Sequence, residues 1–148
     1  MTARLFADTN ILIYALDPAD PVKRQISADL LRRTISSRIL TLSPQSLNEA
    51  YRVLTQRRKI MPVAEARAYL GGLAPWCIAP LDAETTIRAW AVQDEIGASW
   101  WDSLMLAAAL RAECKLFVSE DMQDGQDVSG MRIVNPFTDV FAQALAKI

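Results

Sequence analysis

A three-layer α/β/α domain on a short, mainly parallel five-stranded sheet is predicted from three observations. Short apolar runs alternate with longer segments of helical spacing, helix caps stand at the junctions, and one long segment is apolar nearly all round. The runs Ala3–Ala7, Ile39–Leu42, Cys77–Ala79, Leu116–Val118 and Ile133–Val134 have the length of buried strands. Strands that alternate with helices pair in parallel, because each helix carries the chain back across a face of the sheet.

The elements follow in order. After the first strand, Asp8-Thr9-Asn10 opens a helix in which either Asp8 or Asn10 can serve as cap. Val22, Ile26 and Leu30 share one face of a helix over Val22–Ile35. Beyond the second strand, Ser43-Pro44 reads as N-cap and first helical position, followed by Leu47, Ala50, Tyr51 and Leu54 at helical spacing. Pro62 opens a further helix. Asp82 caps a helix with Ile87, Trp90 and Ala91 at helical spacing, and Gly97 stops it. Ser99 caps the segment Trp100–Cys114, which runs Leu104, Met105, Leu106, Ala107, Ala108, Ala109, Leu110 without interruption and so predicts the most buried helix.

The 148 residues suit one domain, 1–148, which at that size buries roughly 68–70% of its extended-chain surface. The longest unbroken apolar run, Leu104–Leu110, is far short of the ~20 residues that span a membrane, and Asp8 falls too early for a secretory signal. No membrane partner and a cytoplasmic location are therefore expected. Cys77 and Cys114 form no CxxC pair and the chain has no histidine, so neither a zinc site nor a disulfide framework is indicated. The net charge of −1 conceals an asymmetry: residues 22–67 carry ten Lys/Arg against three Asp/Glu, and residues 82–148 carry five against eleven. A basic surface beside an acidic cluster suits a nucleic acid that also meets metal ions, although two solvated helix faces would produce the same totals.

Without histidine, carboxylates holding a hard cation are the main catalytic option. In an α/β sheet the C-terminal ends of the strands and the N-terminal ends of the helices share one edge, where ligands bind. Asp8 follows the first strand, Asp121 lies just past the fourth, Asp102 is in the first turn of the buried helix, and Glu49 is in the second turn of the helix after strand two. Each has a plainer reading. Asp8 can be a cap, Asp102 a first-turn carboxylate on the helix dipole, and Asp121 part of a polar turn with Asp124 as rival. Spacing places Glu49 with Gln45, Arg52 and Gln56 on the polar face, as a solvated glutamate paired with Arg52. If the acids do meet, two carboxylates about 4 Å apart repel by about 4 kcal/mol at an effective dielectric of about 20, which a divalent cation relieves. The chemistry supported is phosphodiester hydrolysis.

Four stretches carry a family resemblance: Phe6-Ala7-Asp8-Thr9-Asn10-Ile11-Leu12, Ser43 to Glu49 with Ala50, Trp100-Trp101-Asp102-Ser103, and Ser119-Glu120-Asp121-Met122-Gln123-Asp124-Gly125. In this order and spacing they resemble the PIN-domain family, specifically the VapC-like ribonuclease toxins of type II toxin-antitoxin pairs. The resemblance implies that Asp8, Glu49, Asp102 and Asp121 form a catalytic pocket for Mg2+ or Mn2+, with Asn10 and Ser119 in support and Asp124 in a secondary position. It reverses the spacing-based reading of Glu49 and prefers Asp121 to Asp124. It further implies a homodimer and a VapB-like antitoxin that blocks the pocket, with the helix Val22–Ile35 as a possible groove wall for a partner helix. Arg52, Arg57, Arg58 and Lys59 are the expected contacts to the RNA backbone. The alternative is a catalytically silent PIN-like nucleic-acid-binding or scaffold module. A phosphatase or receiver domain of similar architecture is disfavoured, because Asp8-Thr9-Asn10 lacks a second acid and Pro80 follows the third run.

Overall fold

The computed structural model describes residues 3–145; the outermost ends of the 1–148 range lie outside the described residues. The order is β1 (Arg4–Ala7), α1 (Thr9–Tyr14), α2 (Pro21–Ser36), β2 (Leu40–Thr41), α3 (Pro44–Arg52), α4 (Val63–Leu73), α5 (Ala83–Ile96), α6 (Trp100–Arg111), β3 (Cys114–Val118), β4 (Asp127–Val128), β5 (Met131–Val134) and α7 (Asp139–Leu145). The strands form one sheet in the order β2-β1-β3-β5-β4, parallel except for the β4–β5 pair.

Strand alternation divides the core in two. Leu5 and Ala7 of β1 face a cluster with Ile11, Leu12, Leu30, Leu42, Ala50, Leu54 and Leu70, whereas Phe6 faces the opposite cluster with Leu106, Phe117 and Ile133. Phe6 and Phe117 stack across β1 and β3 at 5.0 Å between ring centroids, an arrangement worth about 0.5–1.5 kcal/mol beyond burial. As its sequence predicts, α6 is buried continuously from Ser103 to Ala109.

The caps sit where the residue types call for them. Asp20, Ser43, Asp82 and Ser99 each accept a backbone N–H from the first turn of α2, α3, α5 and α6, and Gly97 ends α5 in the left-handed region at φ 67°. Asp8, not Asn10, caps α1.

Three expectations need correction. Cys77–Ala79 is not a strand. It follows a single 3-10 turn, and its backbone bonds to the β2 side are limited to Leu42, through Leu42 N–H to Trp76 O (2.9 Å) and Ala79 N–H to Leu42 O (3.0 Å), among the described residues. Prolines at 75 and 80 bracket the segment and withhold the donors a longer ladder needs. The fifth strand is instead β4, joined to β5 by Ser129 and Gly130, both at positive φ (50° and 91°), as a two-residue hairpin requires. On α5 the buried residues are Thr85, Ala89 and Val92, while Ile87 and Trp90 are exposed. Val22 of α2 is likewise exposed. No helix among the described residues is long and apolar enough to cross a membrane.

Candidate active site

A cavity of about 620 Å³ opens at the C-terminal edge of the sheet, and Asp8, Glu49, Asp102 and Asp121 all line it. They arrive from four places: the end of β1, the second turn of α3, the first turn of α6 and the loop after β3. Depth differs among them, since Asp8 is buried, Glu49 and Asp102 are half-buried and Asp121 is exposed.

A chain of hydrogen bonds fixes these acids. Asp8 accepts from Thr9 N–H through Oδ1 (2.7 Å) and from the Ser119 hydroxyl through Oδ2 (2.8 Å). Ser119 Oγ in turn accepts Asp121 N–H (3.2 Å), so one fully buried serine ties the acid after β1 to the acid after β3. Asn10 Nδ2 donates to Asp121 Oδ2 (2.5 Å). Glu49 accepts from Thr9 Oγ1 (2.9 Å) and Gln45 Nε2 (2.9 Å). It makes no ion pair with Arg52 among the described residues. The helical wheel misjudged this face: Gln45 donates to Trp101 O at the start of α6 (3.1 Å) and Glu49 is held by Thr9 of α1, so neither side chain stands in open solvent. Asp124 stands apart from the cavity, its Oδ1 accepting Asn135 N–H (2.8 Å) and so tying the loop between β3 and β4 to the residue that follows β5.

Burial pushes the Asp8 carboxyl up to about 6, and the charges of Asp102 and Asp121 add to the rise, while the Ser119 and Thr9 donors oppose it. Asp102 is also raised, first by burial and then by the charges of Glu49 and Asp121. The cavity thus concentrates negative charge, and among the described residues none of its four acids forms an ion pair. Its donor set is all oxygen, with no thiolate or imidazole, and fits a hard divalent cation. Among the described residues no three acidic side chains stand together as a ready cage. One or two carboxylates with water and substrate oxygens is the pattern magnesium favours.

The basic residues divide. Arg52 and Arg57 line the cavity, whereas Arg58 pairs with Asp17 (2.5 Å) and Lys59 lies outside the lining. A wide helical turn over Val53–Arg57, closed by Arg58 N–H to Val53 O (3.0 Å), explains this division. Its i→i+5 spacing returns Arg57 to the side occupied by Arg52, which a regular α-helix would not do. Sequence reasoning missed that turn, and it also missed Thr9, Gln45 and Trp101 as cavity residues. Thr9 carried a usable signal, as a hydroxyl one residue beyond Asp8; the contacts of Gln45 depend on α6, which lies more than fifty residues away. Behind the cavity, Glu120 accepts from Tyr14 and pairs with Lys23 (2.6 Å), locking α1 and α2 to the loop that carries Asp121.

The comparisons with known proteins agree with this architecture. A family described as PIN domain matches residues 5–123. Among solved structures, the chain is similar to VapBC2 from Rickettsia felis bound to a DNA fragment from its promoter, at TM-score 0.60 and 14% identity over 88% of this chain and 97% of that one. It is also similar to VapC20 of Mycobacterium tuberculosis, a sarcin-ricin loop cleaving toxin, at TM-score 0.56 and 16% identity over 86% of this chain and 98% of that one. No curated protein matches the sequence.

Proposed function

The chain belongs to the PIN-domain family, and from that premise we propose that it is a divalent-metal-dependent endoribonuclease acting as the toxin of a VapBC-type pair. The observation that carries the proposal is the meeting of Asp8, Glu49, Asp102 and Asp121 around one cavity at the C-terminal edge of a parallel sheet. PIN domains typically are metal-dependent nucleases, and the two solved structures support the toxin assignment through their fold.

Asp8, Glu49, Asp102 and Asp121 would hold Mg2+ or Mn2+, which when bound supplies a water activated for attack and offsets charge developing on the phosphate. The chain's own residues do the rest. Ser119 and the Thr9 N–H hold the Asp8 carboxylate in one orientation, Thr9 and Gln45 hold Glu49, and Asn10 holds Asp121. These three carboxylates therefore meet a cation without first giving up rotational freedom. Arg52 and Arg57 offset the repulsion between the acids and the RNA backbone. Asp124 acts only through the loop it braces.

The same reading assigns a homodimer, a cytoplasmic location and a VapB-like antitoxin that presents a basic side chain to the acids. A short reading frame directly upstream, encoding a DNA-binding N-terminus and a basic tail, is its expected genetic signature. The direct test is cleavage of RNA by purified protein with magnesium or manganese, abolished by chelator. RNA left intact under those conditions, or cut equally well in chelator, would overturn the mechanism. Calorimetry that detects no magnesium or manganese binding at millimolar concentration, together with no cleavage, would identify a silent binding module.

A further inference from the structure

Trp101 is the one large aromatic side chain in the lining of the acidic cavity, and core packing does not explain it. The first turn of α6 carries two tryptophans. Trp100 packs partly against the core, whereas Trp101 is 63% exposed. The buried face of α6 is supplied by Ser103 to Ala109, so a polar residue at 101 would serve the helix equally well. Trp101 thus combines a place in the cavity lining, immediately before Asp102, with a largely exposed side chain.

The backbone under that indole is held by a buried group. Gln45 is only 7% exposed, and its Nε2 donates both to Trp101 O (3.1 Å) and to Glu49 Oε1 (2.9 Å). The amide cannot be turned over, because its oxygen would then confront two acceptors. In the orientation it has, Gln45 Oε1 is buried without a hydrogen-bond partner among the described residues. An unpaired buried acceptor is destabilising. Gln45 thereby couples the backbone of Trp101 to Glu49. The same cavity is also lined by Arg52 and Arg57. Cations that reach phosphates, combined with an exposed ring that can meet a base, are the ingredients of single-strand binding.

We propose that Trp101 is a stacking platform on which an unpaired nucleobase of the bound RNA lies, next to the phosphodiester at the acids. This rests on the nucleic-acid reading above and adds to it a residue that positions the substrate; a base paired within a duplex presents no free face to Trp101. The exposed large apolar side chains of the lining are Trp101 and Leu81, 63% and 39% exposed, a patch small enough to suit a base better than a protein partner, which would bury a broader apolar surface.

The test uses the whole protein with a fluorescein-labelled 12-nucleotide single-stranded RNA of mixed sequence, and the same RNA annealed to its complement, with calcium in place of magnesium. Trp101→Ala should lose about 5- to 150-fold in affinity for the single strand, the equivalent of about 1–3 kcal/mol for one stacked base. Duplex affinity should be unchanged, and Trp101→Phe should restore single-strand binding to within about threefold. The proposal is overturned if Trp101→Ala binds the single strand as wild type does, if phenylalanine fails to rescue, if the duplex is weakened equally, or if wild type binds neither probe. Cleavage in magnesium is measured separately. Trp101-dependent binding without cleavage keeps the platform and removes the nuclease assignment; cleavage with Trp101→Ala at wild-type affinity does the reverse.

Discussion

Replacing Asp8 by asparagine should abolish cleavage and, in the absence of metal, make the protein more stable. The carboxyl of Asp8 is raised from an ordinary 3.8 to about 6, so the folded chain binds its proton more tightly than the unfolded chain does. The stability that goes with the protonated form is fully present below pH ~4 and is lost as pH rises through ~6. At pH 7.5 the wild type therefore carries a deficit of about 3 kcal/mol, two units at 1.36 kcal/mol each. Asparagine removes the charge and keeps Oδ1 to accept Thr9 N–H. Its amide, however, replaces the acceptor that the Ser119 hydroxyl uses, and turning that hydroxyl returns about 1 kcal/mol. The net expectation is a gain of about 1–2 kcal/mol, or about 3–6 °C in Tm for a chain of this length. Urea titrations followed by tryptophan fluorescence in EDTA at pH 7.5, 6.0 and 5.0 measure it. The advantage of Asp8→Asn should shrink steadily across that series. Magnesium should narrow it too, since ion at ten times its Kd adds about 1.4 kcal/mol to the wild type alone. A variant less stable than wild type at pH 7.5, or a gap that does not change with pH, would refute the account of Asp8 as a buried acid without an ion-pair partner.

Three further outcomes follow from the same geometry. Glu49→Gln and Asp102→Asn should each lower cleavage by at least about 100-fold, the equivalent of about 2.7 kcal/mol, while the fold stays intact by circular dichroism. RNA binding should weaken steeply with salt, and Arg52→Ala with Arg57→Ala should flatten the log–log slope by about 1.4, whereas Lys59→Ala, outside the cavity lining, should leave it nearly unchanged. Glu113, which follows α6 in the left-handed region at φ 61°, should accept glycine with a gain of about 0.5–1 kcal/mol in urea denaturation.

Much of the frame could be read from local signals because the physics behind it is local. Apolar runs of strand length, caps such as Ser43 and Asp82, and the unbroken apolar stretch of α6 act within a few residues, and they specified a layered α/β fold with a largely parallel sheet. Two misreadings also have local causes. Cys77–Ala79 has the composition of a strand but sits between two prolines, and the short β4 carries little apolar signal beyond the Ser129-Gly130 turn. The exposure of Ile87 and Trp90 shows the limit of helical spacing, which finds an apolar face but not the face that another element covers.

Sequence by itself determined that histidine-free, oxygen-based chemistry was available and that Asp8, Asp102 and Asp121 would fall near the ligand-binding edge, because strand ends and helix starts share that edge in any parallel α/β sheet. Tertiary structure decided what surrounds them. Glu49 reads as a solvated residue until α1 packs on α3 and brings Thr9 to it, and the structure separates Asp121 from Asp124 by the bonds each makes with residues distant in sequence, Asn10 in one case and Asn135 in the other. The raised Asp8 carboxyl, the wide turn that brings Arg57 beside Arg52, and the grip of Gln45 on Trp101 depend on burial and on contacts tens of residues apart. Local pattern carries no record of such contacts, since they come into being only when the elements pack.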